Sequence, residues 1–134
     1  METITLDKDI KVLCVTAESF PDGIMDAYKK LSGIISSPRE RKYFGLSRPE
    51  NGIIVYKAAA EDTTEGEAQR LNLETMIIKK GNYICETIND FMKDLPAIGK
   101  TFEKLITHPD IDPEGYCVEW YLNEKDVRCM VRVV

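Results

Sequence analysis

TFEKL, residues 101–105, echoes AYKKL, residues 27–31, at an offset of 74. A five-residue match alone carries little weight. It gains weight because the elements predicted around each copy come in the same order. Ahead of AYKKL stand two extended runs, ETITL (2–6) and IKVLCVTA (10–17), joined by the turn-like DKD. Behind it stand KYFGLSR (42–48) and IIVYKAAA (53–60), linked by PENG, a strong turn signal. Around TFEKL, LETMII (73–78) and NYICETI (82–88) flank KKG, and YCVEWYL (116–122) and VRCMVRVV (127–134) form a hairpin around NEKD.

Each copy lies on a helix. Pro21 and Asp22 suit a first turn, and Ile24, Ala27, Tyr28, Leu31, Ile34 and Ile35 form one apolar stripe at helical spacing. The second helix starts near Asp94 with Pro96 in its first turn. It presents Ile98, Phe102, Leu105 and Ile106 on one face, and His108–Pro109 ends it. The pattern predicts an α+β fold of duplicated ββαββ units. These form one mostly antiparallel sheet with two helices on one face and a ligand groove between the halves. The chain is expected to be a single domain with repeats over about 1–60 and 73–134. Residues 61–72, EDTTEGEAQRLN, are polar, acidic and aperiodic, and read as a solvated linker.

Bulk properties narrow the function. The 134 residues suffice for one domain with a core, and 43% hydrophobic with 31% charged is a globular balance. A net charge of −5 argues against nucleic-acid or anionic-membrane partners, which require a basic surface. No apolar run approaches the ~20 residues of a membrane span. METITLDKDI lacks the positive flank and apolar block of a signal peptide, which points to the cytoplasm. Cys14, Cys85, Cys117 and Cys129 lie in apolar runs without CxxC spacing, the pattern of buried free thiols. A single histidine, His108, gives no support to a metal site or a Ser–His arrangement, so neither cofactor nor metal is expected.

The odd residue is Glu119, an acid in the middle of an apolar strand. If NEKD is a four-residue loop, Leu122 pairs with Val127, Trp120 with Cys129 and Val118 with Val131, making one apolar face under a helix. Glu119 then lies opposite Met130 on the other face, with Tyr121 opposite Arg128 and Cys117 opposite Arg132. The plain reading is a solvated face with Glu119 beside Arg128 or Arg132. The repeat adds a second reading: at the 74-residue offset Glu119 matches Gly45 and Met130 matches Tyr56. A carboxylate set among aromatic and thioether groups favours a flat or greasy cation.

The runs YFGLSRPENGIIVYKAAAE, LETMIIKKGNYICE and VEWYLNEKDVRCMVRV resemble the gyrase-inhibitor-like family. That family is the effector-binding domain also fused to AraC-type and multidrug-sensing transcription activators. The resemblance covers residue 10 onward and implies two repeated strand–helix–strand–strand units that bind amphipathic, often cationic molecules between them. It implies that Glu119 is the charged pocket residue, with Tyr121 after it and Gly81 and Tyr83 as the GxY element. With the repeat, the expected ligand-binding set is Glu119, Tyr121, Tyr83, Tyr56, Met130 and Gly45. KKGN departs from the family's small-residue turn. Both predicted helices belong to the repeats, leaving none for a helix-turn-helix, so a stand-alone ligand-binding domain is expected. It would sense or sequester its ligand and bind no DNA directly. Two alternatives follow from the resemblance: hydrolysis of a reactive small molecule by the pocket glutamate, and a protein partner, gyrase or a DNA-binding regulator.

Overall fold

The computed structural model describes residues 1–134. One curled antiparallel sheet carries eight strands. They are β1 (Glu2–Leu6), β2 (Ile10–Thr16), β3 (Tyr43–Glu50), β4 (Ile53–Glu61), β5 (Glu74–Ile78), β6 (Gly81–Ile88), β7 (Cys117–Tyr121) and β8 (Val127–Arg132). Helix α1 spans Ile24–Ile34, α2 Glu67–Leu71 and α3 Pro96–Leu105. The α+β, mostly antiparallel architecture read from the sequence is the one observed. No helix is long and apolar enough to cross a membrane.

The sheet order is β1-β6-β8-β7-β3-β4-β2-β5. Matching β1 to β5, β2 to β6, β3 to β7 and β4 to β8 turns this order into its own mirror, so the two halves are related by a pseudo-twofold axis between β7 and β3. The first strand of each half crosses over: β1 pairs with β6 and β5 with β2. At the seam Gly45 pairs directly with Glu119. These are the two residues equated by the 74-residue offset, so the pair sits on the axis. Across the outer strands the offset falls to 71, since Val12↔Glu61 reappears as Tyr83↔Arg132. The hairpin β3–β4 is longer than β7–β8 and closes on Asn51–Gly52, both at positive φ (53° and 81°), a type I′ turn. Tyr56 therefore corresponds to Val127 rather than to Met130.

The expected β7–β8 register is corrected by one residue. Tyr121 pairs with Val127, Trp120 with Arg128, Glu119 with Cys129 and Val118 with Met130. Asn123 causes the slip: its side-chain oxygen accepts from the Lys125 and Asp126 amides (2.7 and 2.9 Å), and Leu122 N–H donates to Asp126 O (3.0 Å). Five residues, 122–126, are thereby gathered into the loop. A one-residue slip exchanges cross-strand neighbours between faces. Glu119 now shares its face with Cys117, Tyr121, Val127 and Cys129, not with Met130.

That face is the one under the helices, also contrary to expectation. Leu13, Ala58 and Ala60 pack against Ala27, Leu31 and Ile35 of the α1 region. Ile84, Val127, Cys129 and Val131 pack against Phe102 and Leu105 of α3. The aliphatic stripes drive this burial at ~25 cal/mol per Å2 of apolar surface removed from water, although Ile34 and Ile106, assigned to them, are exposed. The opposite face curls on itself around Val12, Phe44, Leu46, Tyr83, Val118 and Met130, with Trp120 at its margin. All four cysteines are unpaired.

Residues 61–72 are not a plain solvated linker. They contain α2, whose Ala68 and Leu71 join the α1 cluster. Its Glu67 is fully buried and meets Arg41 at 2.6 Å. The remaining valences are filled: Ser36 N–H and Oγ donate to Glu67 Oε2 (3.0 and 2.9 Å), and Arg41 Nε and Nη1 donate to Ser36 O and Glu61 O (2.9 and 3.2 Å). Removing one partner strands a buried charge, at ~3–5 kcal/mol. Glu67→Ala is therefore expected to lose about that much in urea unfolding. The double variant Arg41→Met, Glu67→Leu, which leaves no charge behind, should recover most of the loss.

Candidate ligand site

Glu119 stands on the pseudo-axis, in the sheet floor between α1 and α3, and is only 7% exposed. Two phenols converge on one of its oxygens. Tyr56 Oη donates to Oε1 at 2.9 Å and Tyr121 Oη donates to the same atom at 2.5 Å. The sequence pattern puts Tyr121 there, two residues along the same strand face. Tyr56 reaches it across β3, because Ser47, its partner in the ladder, and Gly45 next on that face are small.

Gly45 is the enabling residue. A Cβ at this position would overlap the Tyr56 hydroxyl and stand 2.8 Å from its Cζ and 3.0 Å from Glu119 Oε1. The absent side chain is the space through which the phenol reaches the carboxylate.

The other carboxylate oxygen, Oε2, accepts no hydrogen bond from the protein. No fully buried side-chain polar atom lacks a partner, so Oε2 keeps the solvent contact that Glu119 retains. Glu119 also belongs to no ion pair. The arginines proposed as its neighbours are engaged elsewhere, Arg128 over the Trp120 ring (5.2 Å) and Arg132 with Asp112 (3.1 Å).

Aromatic rings surround this acid. Tyr28 of α1 meets Tyr56 Oη at 2.9 Å and donates to the Phe44 carbonyl at 2.7 Å. Its ring packs edge-on to Tyr121, with centroids 6.0 Å apart. Phe20, just before α1, stacks on Tyr56 (6.0 Å, 28°), and Phe91, just before α3, packs edge-on to Tyr121 (5.4 Å, 64°). Each half thus contributes a phenylalanine that backs a tyrosine bound to the same oxygen.

Four of the six residues expected from the sequence come together here: Glu119, Tyr121, Tyr56 and Gly45. Tyr83 and Met130 do not; both lie in the core of the opposite face. Tyr28, Phe20 and Phe91 were missed. Tyr28 counted as one more apolar residue of the α1 stripe, although a buried tyrosine needs a partner for its hydroxyl. Phe20 and Phe91 each precede a helix, a shared position that the repeat could have flagged.

Electrostatics follow from burial. Desolvation raises the Glu119 carboxyl above its ordinary 4.5, and the Tyr121 and Tyr56 hydrogen bonds pull it down without offsetting this. Burial likewise raises Tyr28, Tyr56 and Tyr121, so the phenols stay neutral donors. Burial and then the Glu119 charge push the Cys117 thiol up to about 11, and burial first pushes Cys129 up to about 12, leaving both unreactive.

No family model matches the chain, and no curated protein matches it. Solved structures share its fold. An integron cassette protein from the mobile metagenome of Vibrio cholerae is 14% identical, with TM-score 0.67, over 99% of this chain and 95% of its own. SAV2435, solved bound to tetraphenylphosphonium, is 10% identical with TM-score 0.71, over 99% and 93%. A hydrolase from Listeria innocua is 10% identical with TM-score 0.59, over 99% and 90%. At these identities the likeness establishes the fold.

Two outcomes test the geometry. A carboxyl whose folded pKa is raised binds more protons in the native than in the unfolded state. Its effect on stability is therefore neutral below the unfolded value and increasingly unfavourable as pH rises through the raised one. Wild type minus Glu119→Gln, followed by urea unfolding against pH, should fall from about pH 4.5 upward and then level. Gly45→Ala should displace Tyr56 and cost ~1–3 kcal/mol. Adding Tyr56→Phe, which removes the overlapping hydroxyl, should restore part of the melting temperature.

Proposed function

We propose that the protein binds an amphipathic organic cation over Glu119, in a groove between its two halves, as an effector-binding domain of the gyrase-inhibitor-like kind. The observation that carries this reading is a buried carboxylate without any protein cation, one oxygen fixed by two phenols and the other free, with aromatic rings packed about it. Burying an unpaired acid costs several kcal/mol, and a cationic ligand supplies the missing charge. Flanking π faces add ~0.5–2 kcal/mol of cation–π attraction and reject anions. The shared fold with the tetraphenylphosphonium-bound protein supports the same chemistry. A domain of this kind serves as a sensor or a sequestering protein, and the acidic chain suits a small cation better than nucleic acid.

Calorimetry with tetraphenylphosphonium tests the reading. Glu119→Gln should weaken binding by about two orders of magnitude, the equivalent of ~3 kcal/mol for one partner of a buried charge pair. Wild-type affinity should rise with pH through the raised carboxyl pKa, since the cation binds the ionised form and expels the proton. Equal affinity in the two proteins refutes the site.

A second reading rests on the free Oε2 of a carboxyl with raised proton affinity, which fits a general base acting on water. It requires turnover of an activated ester or strained electrophile that Glu119→Gln abolishes. Unchanged substrate refutes it.

A further inference from the structure

The two ends of the proposed groove differ, although the pseudo-twofold axis equates them. At the Phe91 end the β7–β8 hairpin turns over through Leu122, 37% exposed, and the four polar residues Asn123, Glu124, Lys125 and Asp126. The Lys125 carbonyl accepts a hydrogen bond from Phe91 N–H (2.9 Å), tying this polar loop to the ring's own backbone. At the Phe20 end β3 and β4 run on as a paired ladder to Glu50↔Ile53. That extension holds Ile53 and Ile54 beyond Tyr56, 70% and 40% exposed, and Phe20 above them is 47% exposed.

Between these elements lies a cavity of about 330 Å3, walled chiefly by Ala17, Phe20, Ile53, Ile54, Val55 and Tyr56, with Thr16, Glu18 and Ser19 completing its lining. Tyr56 belongs to both places. Its hydroxyl donates to Glu119 and its ring stacks on Phe20 and bounds the cavity. The carboxylate and the apolar cavity are thus separated by the length of one tyrosine side chain. A compact cation would occupy the acid and leave this apolar surface in water.

We propose that the ligand is a single-chain amphiphile, its ammonium-type head on Glu119 and its unbranched apolar chain running beside Tyr56 into the cavity under Phe20. This rests on the reading of Glu119 as a cation site. The occupant follows from charge at one end, a mainly apolar cavity at the other, and a second end tied down by the β7–β8 loop, which leaves one cavity for one tail.

The test is calorimetric titration of alkyltrimethylammonium ions from butyl to dodecyl, each below its micelle concentration, against the full chain. Affinity should climb up to about fourfold per added methylene, the equivalent of ~0.8 kcal/mol, and level once the cavity is filled. Ile54→Asn, at a half-exposed position where folding is readily verified by circular dichroism, should bring the dodecyl ion down to the affinity of the butyl ion. Ile77→Asn, an exposed apolar residue on β5 away from this cavity, should leave the series unchanged. Glu119→Gln should lower all members in parallel. Binding that depends on Glu119 but not on chain length overturns the tail channel and leaves the cation site standing. A length dependence that survives Ile54→Asn also overturns it. If no member binds, the cation site falls with it.

Discussion

Glu119 faces Gly45 across the seam where the two halves of the sheet meet, and the surrounding structure is arranged around that pair. A carboxylate in this position is desolvated by the helix layer above it, and two phenols reach it from opposite sides. One arrives along its own strand. The other crosses a strand at the single point where no side chain intervenes. Without glycine at 45, Tyr56 could not cross β3 to the carboxylate, Phe20 would lose the ring on which it stacks, and the cavity wall that the two rings form would be rebuilt. The local polar geometry and the shape of that cavity therefore share one cause.

The chain buries two glutamates and treats them in opposite ways. Glu67 is enclosed with Arg41, Ser36 and backbone carbonyls so that each of its oxygens has a partner. That network ties α2 and the start of β3 to the end of α1, and its charge is cancelled inside the protein. Glu119 receives neutral donors on one oxygen only and no cation. Phenols soften the desolvation of a carboxylate without neutralising it. The difference separates an acid neutralised inside the protein from one that has no cation partner within it.

Much of this was legible from residue patterns. The duplicated order of elements, both helices and the α+β class follow from hydrophobic periodicity and the AYKKL–TFEKL match. That Glu119 and Tyr121 share a face while Val118 and Trp120 share the other follows from strand parity alone. The errors arose where parity is silent. Which face lies under the helices depends on the curl of the whole sheet, which buries both sides. The β7–β8 register depended on the Asn123 side chain bonding two backbone amides, a local choice invisible to a hydrophobic pattern. Tyr83 and Met130 were drawn into the site by that register and by the family resemblance, and three-dimensional packing places them behind it. The segment 61–72 looked solvated because Glu67 is charged, and its partner Arg41 is remote in sequence.

The pseudo-axis itself limits what the site can be. Residues directly paired across the seam sit side by side, as Tyr43 and Tyr121 do, and the pair on the axis is formed by the two repeat-equivalent positions, Gly45 and Glu119. Two carboxylates there would face each other as like charges, which destabilises a cross-strand pair. The duplication is asymmetric at this point, with one half carrying the acid and the other no side chain, which leaves room for Tyr56. The outcome is one carboxylate rather than two, contacted by phenols that occupy non-equivalent positions in the repeats, Tyr56 matching Val127 and Tyr121 matching Ser47. From that asymmetry follow an aromatic surround contributed by both halves and two ends that diverge, one along the extended β3–β4 hairpin and the other at the shorter β7–β8 hairpin.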